Sequence, residues 1–422
     1  MFLRRGRLSD RKAQTLLVEL FDNCYQWPLR FPIIYVSRDD PLRFLCSTRL
    51  VVDWIGRGVY LLNRRNPPQQ APWFDGGLRD TLPKLQRYPA NLEERLIQVM
   101  AMDDPATAEL NARSLLLDII DLASEEKKRR GQEGAQPLVS WLPKTADLKI
   151  GSEPIGATYG DEADLKEIAR RAVRIVWRLP GARLAAVSHP APHGYTDLTA
   201  EVAISLFGLK LPGPAVRRSL IAATADLADD ITQLTKESYA ADIFWLRDRS
   251  PGGNLRQVDV RYFSIDEARR LARHPVPASQ TDWELLIRLS TAEFLVDYEL
   301  RGPDLLRDLQ QAARRVRPER LAKASADFDR AITDLNASGD DVPRNFYAAT
   351  DAILALFQLF AARNDRWIHC PRSTPAWFDS LEHAPLDANQ RLSAIALLPF
   401  RAENSHSRSE TLVTLAQETL DH

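Results

Sequence analysis

The sequence is poor in several features that define common protein classes. It has three cysteines, Cys24, Cys46 and Cys370, which are too few and too widely spaced for a disulfide framework or a zinc site. They are typical of buried thiols in a reducing cytoplasm. Its 56 basic and 57 acidic residues leave a net charge of -1, which excludes a broad nucleic-acid-binding surface. We therefore expect a small substrate.

Long hydrophobic runs are missing as well. The longest apolar stretch, Ala352 to Ala362, contains Gln358 and is about half as long as a membrane span. The basic residues after Met1 are followed by the polar run Ser9 to Lys12, where a signal peptide would have an apolar segment. We therefore expect a cytoplasmic protein with no membrane contact.

The composition that remains is that of a globular protein. The chain has 422 residues, of which 45% are hydrophobic and 27% charged, and this length predicts two or three domains. Five of the 18 glycines lie between Gly131 and Gly160, a concentration that favours a linker. The predicted organisation is a helical unit over 1-130, a linker over 131-160, an α+β core over 161-280 and a C-terminal helical domain over 281-422.

Hydrophobic periodicity supports this organisation. Before the linker, the apolar stripe from Thr107 to Arg130 predicts a long helix with cations at its C-terminus. Within the core, the patterns predict helices over 165–178 and 211–235, and strands over 183–188, 202–206, 242–246 and 257–263. From Asp282 onward the pattern is helical, and the nearly apolar run Ala349 to Ala362 predicts a buried central helix.

The two helical ends of the chain also resemble each other. Asp53 and Arg65-Asn66 match Asp351 and Arg363-Asn364 at identical separation. A Trp-Phe-Asp triplet then follows in each segment, at 73–75 and 377–379. We interpret the match as two copies of one helical unit flanking the core. The alternative is coincidence between two amphipathic helices.

One short motif points to nucleotide chemistry by its letters. Gly151-Ser152 followed by Glu162 and Asp164 has the signature of polymerase-β-like nucleotidyltransferases. In that family, however, the carboxylates project from one face of a strand. Asp164 begins an amphipathic helix instead, so Glu162 and Asp164 are better interpreted as acids in the first turn of a helix.

A second segment resembles the same family by its order of elements. The predicted helix over 165–178 is followed by Leu179-Pro180-Gly181, a strand over 182–188, a loop, the segment 196–204 and the later strand 257–262. This order resembles the nucleotidyltransferase core, most closely the branch that contains kanamycin nucleotidyltransferase. The resemblance implies a small mixed-sheet α+β core followed by a helical domain, and residues 35–130 are similar to that helical domain too.

The resemblance also implies a site. Asp197, Glu201 and Asp259 would hold Mg²⁺, while Ser188, His189 and His193 would contact a nucleoside triphosphate. The acceptor would be a hydroxyl of a small molecule or of a macromolecule. This chain departs from the family pattern, because Asp197 and Glu201 are four residues apart, roughly 13 Å along an extended strand. They can share a metal only if Asp197 lies in a curled loop.

Two other functions remain open. The chain could be a catalytically inactive relative that keeps the fold as a scaffold for a ligand, a protein partner or a second copy of itself. Alternatively, His189, His193 and Asp197, spaced four and four residues apart, could bind zinc or iron in a metal-dependent enzyme. Hydrogen bonds from these histidines to the backbone are the simpler explanation of their presence.

Overall fold

The computed structural model combines helices with one sheet. It describes residues 7–21, 25, 29, 41–67, 78–129, 162–188, 202–209, 212–224, 231–236, 239–247, 255–277, 282, 285–286, 289, 292–297, 302–364 and 381–421. The predicted linker over 131-160 lies outside these ranges. The chain divides into two compact units: the first contains Met1–Pro154, Phe328–Leu354 and Asp387–Leu415, and the second contains Ile155–Asp327, Ala355–Leu386 and Ala416–His422. The division of the chain into four segments by sequence stays a prediction.

The front of the chain is helical in its described part. Its helices are α1 (Asp10–Leu20), α2 (Pro41–Leu62), α3 (Leu78–Thr81), α4 (Leu92–Ala101) and α5 (Pro105–Arg129), with a 3-10 turn at Leu82–Lys84. Helix α1 begins where the Ser9 side chain accepts a hydrogen bond from the Lys12 amide, and Asp104 caps α5 by accepting from the Thr107 amide. The helix predicted over 107–130 is confirmed.

The middle of the chain forms a six-stranded sheet with attached helices. The elements are α6 (Glu162–Val176), β1 (Ala182–Ser188), β2 (Val202–Gly208), α7 (Pro214–Thr224), β3 (Ile231–Lys236), β4 (Tyr239–Arg247), β5 (Leu255–Ser264), α8 (Ile265–Arg273) and β6 (Ala292–Asp297). The strand order is β3-β4-β5-β2-β1-β6. Strands β2 and β5 are parallel, and the other neighbouring pairs are antiparallel. The predicted mixture of helices with a mixed sheet is confirmed.

The C-terminal part is helical again after β6. Its helices are α9 (Gly302–Arg315), α10 (Arg317–Asn336), α11 (Val342–Arg363), α12 (Ala388–Leu397) and α13 (Ala402–Asp421). Among the described residues α11 is the one helix long and apolar enough to span a membrane, and 83% of its most apolar window is buried inside the fold. This burial confirms the predicted buried central helix.

Both faces of the sheet pack against apolar helix residues. On one face, Val187, Ile204 and Val260 are buried in a cluster with residues of α6 such as Ile168 and Ala172. On the other face, Leu184, Phe207 and Phe263 form a cluster with α8 and α9, in which the Phe207 and Phe263 rings stack at 5.7 Å. Alternation along each strand places these two sets on opposite faces.

Two predicted helical segments are strands. The helix predicted over 211–235 ends at Thr224, and Ile231–Lys236 is the edge strand β3, paired with β4. Three of its six residues are β-branched, which favours a strand. The helical prediction from Asp282 onward is wrong at Ala292–Asp297, which forms β6 against β1. The hydrogen-bonding edge of β1, which is distant in sequence, determines this conformation.

The contact between α2 and Tyr25 gives a stability prediction. A Cβ atom added at Gly58 would lie 2.1 Å from Tyr25 Oη and 3.1 Å from Ile119 Cγ2, and the Tyr25 hydroxyl donates a hydrogen bond to the Trp54 carbonyl. We expect Gly58→Ala to lower the free energy of unfolding by about 2 kcal/mol, because overpacking outweighs the gain of about 1 kcal/mol in helix propensity. Urea denaturation of the full chain measures this change.

The matched control places the same substitution in a Tyr25→Phe background, which lacks the hydroxyl oxygen that the added Cβ would meet. Gly58→Ala should be clearly less destabilising in that background than in the native chain. An equal loss of stability in both backgrounds would show that the hydroxyl contact is not the reason for the glycine.

Candidate functional site

Three adjacent strands place two of the predicted site residues in one row. Ser188 on β1 pairs with Ala203 on β2, and Ala203 pairs with Asp259 on β5. Neighbouring strands are about 4.8 Å apart, so the backbones of Ser188 and Asp259 are separated by about 10 Å. The structure therefore brings Ser188 and Asp259, which are distant in sequence, to the same level of the sheet.

The neighbouring rows indicate on which face of the sheet this row lies. Val187, Ile204 and Val260, each one residue from a member of the row, belong to the buried cluster under α6. Because successive strand positions alternate between faces, Ser188, Ala203 and Asp259 occupy positions of the opposite face. On that face, Ala186 of the next row and Leu184, Phe207 and Phe263 of the row after it belong to the apolar cluster.

The row between them adds two residues that the sequence reasoning did not single out. Ala186 pairs with Ser205, which pairs with Arg261. Ser205 is fully buried, and within the described part of the chain its Oγ has no hydrogen-bond partner. Arg261 is half-buried and lies two residues after Asp259 on the same strand. This two-residue spacing is the signal that could have identified Arg261 from sequence.

Four other predicted site residues lie in a part of the chain that the structure does not describe. His189, His193, Asp197 and Glu201 lie outside the described residues, so their convergence with Asp259 stays a prediction. The described part of β2, Val202–Gly208, contains no carboxylate. Within the described ranges, no group of three or more His, Cys, Asp or Glu residues could hold a metal ion.

The acidic part of the literal motif at the start of the core is in a helix, as expected. Glu162 and Asp164 lie in the first turn of α6, whereas Gly151 and Ser152 lie outside the described residues. Positions two apart on a helix are on different faces and cannot bind one ion together. This supports the interpretation of Glu162 and Asp164 as first-turn acids.

A buried ionic network lies on the face of the sheet that packs against α6. Arg217 of α7 donates from Nε to Asp242 Oδ2 at 2.8 Å and from a terminal nitrogen to Oδ1 at 3.3 Å. The Tyr262 hydroxyl donates to the same carboxylate at 2.6 Å, and the guanidinium lies over the Tyr262 ring at 4.6 Å. Burial, and then the Asp242 charge, raise the pKa of Tyr262 well above its ordinary value. This network attaches α7 to the sheet and is structural.

Comparison with known proteins assigns no family to the chain. No protein-family model matches it, and no curated protein matches it. The nucleotidyltransferase resemblance therefore rests on the residues and the order of elements given above.

Proposed function

We propose that the chain is a cytoplasmic nucleotidyltransferase-like protein that transfers a nucleoside monophosphate from a nucleoside triphosphate to a hydroxyl group. The single observation that carries the proposal is the row formed by Ser188, Ala203 and Asp259 across β1, β2 and β5. The resemblance assigns a phosphate contact to Ser188 and a metal-binding carboxylate to Asp259, and the position of both residues in one row supports these roles.

The chemistry of these residues suits a magnesium nucleotide. Carboxylate oxygens are ligands that Mg²⁺ prefers, and the proposed set is Asp197, Glu201 and Asp259. A bound Mg²⁺ would align the triphosphate and neutralise its charge. Ser188, His189 and His193 would donate hydrogen bonds to phosphate oxygens. Arg261, at the next position on the Asp259 face of β5, would add a positive charge for the triphosphate.

The proposed transfer joins the acceptor oxygen to the α-phosphorus while the bond to the β-phosphate oxygen breaks. Diphosphate leaves, and the proton of the acceptor hydroxyl passes to a base that the motif does not identify. The acceptor is a hydroxyl of a small molecule or of a macromolecule.

A second function is favoured by one observation. The described part of the central strand β2 has alanine, serine and apolar residues but no acid, although this strand would hold a metal ligand in an active family member. A catalytically inactive protein that binds a nucleotide or a protein partner would need no acid there.

Calorimetric titration of the full chain with each nucleoside triphosphate separates the two functions. The enzyme proposal predicts binding that requires Mg²⁺, and a loss of at least about tenfold in affinity for Asp259→Asn, since a metal ligand is removed. Asp266→Asn, which changes an acid of the first turn of α8, is the matched control and should bind normally.

Each of the other possible results supports an alternative function or overturns the proposal. Nucleotide binding that is equally strong without Mg²⁺ would support the inactive scaffold, and no binding of any nucleotide would overturn the proposal. Zinc or iron in the natively purified protein would instead support the metal-dependent enzyme with His189, His193 and Asp197.

A further inference from the structure

Helices α2 and α11 have the same length and the same ends. Each has 22 residues, and their first residues, Pro41 and Val342, are 301 positions apart. Asn63 and Asn364 directly follow the two helices at the same separation. By contrast, the sequence match of Asp53 with Asp351 places corresponding residues 298 positions apart. The difference of three residues is close to one helical turn, which amphipathic patterns tolerate.

Burial distinguishes the two registers. At a separation of 301, the state of the residue, buried, half-buried or exposed, agrees at 18 of the 21 positions of α2 whose burial is described. At a separation of 298 it agrees at 10 of the same 21 positions. The environments of α2 and α11 therefore correspond at 301.

The two asparagines make the same set of hydrogen bonds. Asn63 Nδ2 donates to the carbonyl four residues earlier, and the same amide pairs with both the N–H and the C=O of Arg87. Asn364 donates to the carbonyl of Phe360 and pairs with both backbone groups of His383. In each case the asparagine ends the long helix and attaches it to a later segment of chain.

The next helix begins five residues after the attached residue in both cases. Helix α4 begins at Leu92 and α12 at Ala388, and each has 10 residues. The burial state agrees at nine of these ten positions, and Arg95-Leu96 matches Arg391-Leu392 in sequence. Long helices, α5 and α13, then follow. Apart from α3 and the 3-10 turn, the order α2–α4–α5 is the same as the order α11–α12–α13, and the asparagine contacts correspond.

Equivalent positions of these two units touch each other. Arg49 on α2 donates to Thr350 Oγ1 on α11, and positions 49 and 350 are 301 apart. One turn later on α2, Asp53 accepts from the Tyr347 hydroxyl at 2.7 Å, so residue numbers rise on one helix as they fall on the other. The helices cross antiparallel, with equivalent residues at the crossing.

A second contact also joins equivalent parts. The connection between α4 and α5 meets the connection between α12 and α13, where Arg401 binds Asp103 at 2.7 and 3.1 Å. Nearby, the Phe400 amide donates to the Ala101 carbonyl at 2.9 Å. Contacts between the same patch on two copies define an isologous interface, which has a two-fold axis.

We propose that α2–α4–α5 and α11–α12–α13 are two copies of one unit that pair across a local two-fold axis, so that each copy is the other's binding partner. The pairing surface is the one a homodimer would use, with both copies supplied by one chain. The equivalent residues at the axis differ in charge, and there Arg49 contacts Asp53, Asp351 and the Tyr347 ring.

Exchanging the residues at the axis tests the proposal. Four equivalent pairs surround the crossing: Cys46 and Tyr347, Arg49 and Thr350, Leu50 and Asp351, and Asp53 and Leu354. The exchanged chain carries all eight substitutions: C46Y, R49T, L50D, D53L, Y347C, T350R, D351L and L354D. Two half-exchanged chains, each with the four substitutions of one helix, are the matched controls.

If the axis is a local two-fold, the full exchange restores the same contacts, with each residue now supplied by the other helix. We expect its Tm within about 5 °C of the native chain, and each half-exchanged chain at least about 10 °C below it. Exchanging only the α2 residues removes Arg49, the partner of Asp351, and exchanging only the α11 residues removes the Tyr347 hydroxyl from which Asp53 accepts a hydrogen bond. A full exchange as unstable as the two half-exchanges combined would overturn the proposal.

A crystal structure of the full native chain decides the question even if the exchanged chain does not fold. Superposition of 41–53, 92–101 and 105–115 on 342–354, 388–397 and 405–415 should need a rotation close to 180°. Segments that do not superimpose, or a rotation far from 180°, would overturn the proposal.

Discussion

Asp242→Ala is expected to lower the free energy of unfolding by about 3–5 kcal/mol, the largest loss among the substitutions considered. Asp242 is completely buried, and its carboxylate accepts two hydrogen bonds from Arg217 and one from Tyr262. Removing it leaves a guanidinium that is 3% exposed without its counter-charge. Denaturant unfolding monitored by circular dichroism measures the loss.

The matched control removes both charges at once. Arg217→Met combined with Asp242→Ala leaves no buried unpaired charge, so the double variant should be more stable than Asp242→Ala alone by at least about 1 kcal/mol. A double variant less stable than the single one would show that Arg217 stabilises the fold by packing, independently of Asp242. The ion pair would then not be the reason for its burial.

Arg408→Ala is expected to lower the free energy of unfolding by about 3 kcal/mol. Arg408 is fully buried on α13 and donates to the carbonyls of Ile395, Leu398 and Pro399 at the end of α12. Its guanidinium lies over the Phe400 ring at 4.2 Å. Among the described residues no carboxylate forms an ion pair with it. Burial lowers the pKa of Arg408 to about 10, so the side chain is still charged at neutral pH.

Arg408→Met separates packing from hydrogen bonding in this position. Methionine keeps most of the side-chain volume but cannot donate to the three carbonyls, whereas removal of the buried charge recovers desolvation energy. We expect Arg408→Met to be destabilising by about 1 kcal/mol in the same denaturant measurement. Equal losses for Met and Ala would contradict a contribution from packing against Phe400.

The sequence predicted correctly those elements whose own hydrophobic pattern determines their conformation. Val202, Ile204 and Leu206 alternate as a half-buried strand should, and β2 is present. Strands β3 and β6 were missed because each is an edge strand, with one neighbouring strand from which it takes its conformation. A short segment such as Ala292–Asp297 fits either a helix or a strand until that partner is known.

The site was predictable where a single strand determines it. Asp259 and Ser188 could be assigned to strands from alternation, but their common row depends on the registers of β1, β2 and β5. Registers between distant strands are tertiary properties, which no short motif contains. For the same reason the sequence could not show that Asp242, another aspartate on a strand, forms a buried ion pair with Arg217.

The asparagine contacts also explain how two copies of a unit can differ in length. Asn63 closes a loop of 24 residues to Arg87, and Asn364 closes one of 19 residues to His383. The entropy of closing a flexible loop changes slowly with length, and these two loops differ by only about 0.2 kcal/mol. The five-residue difference between the two segments therefore costs little closure entropy, while each asparagine keeps the same contacts at the end of its helix.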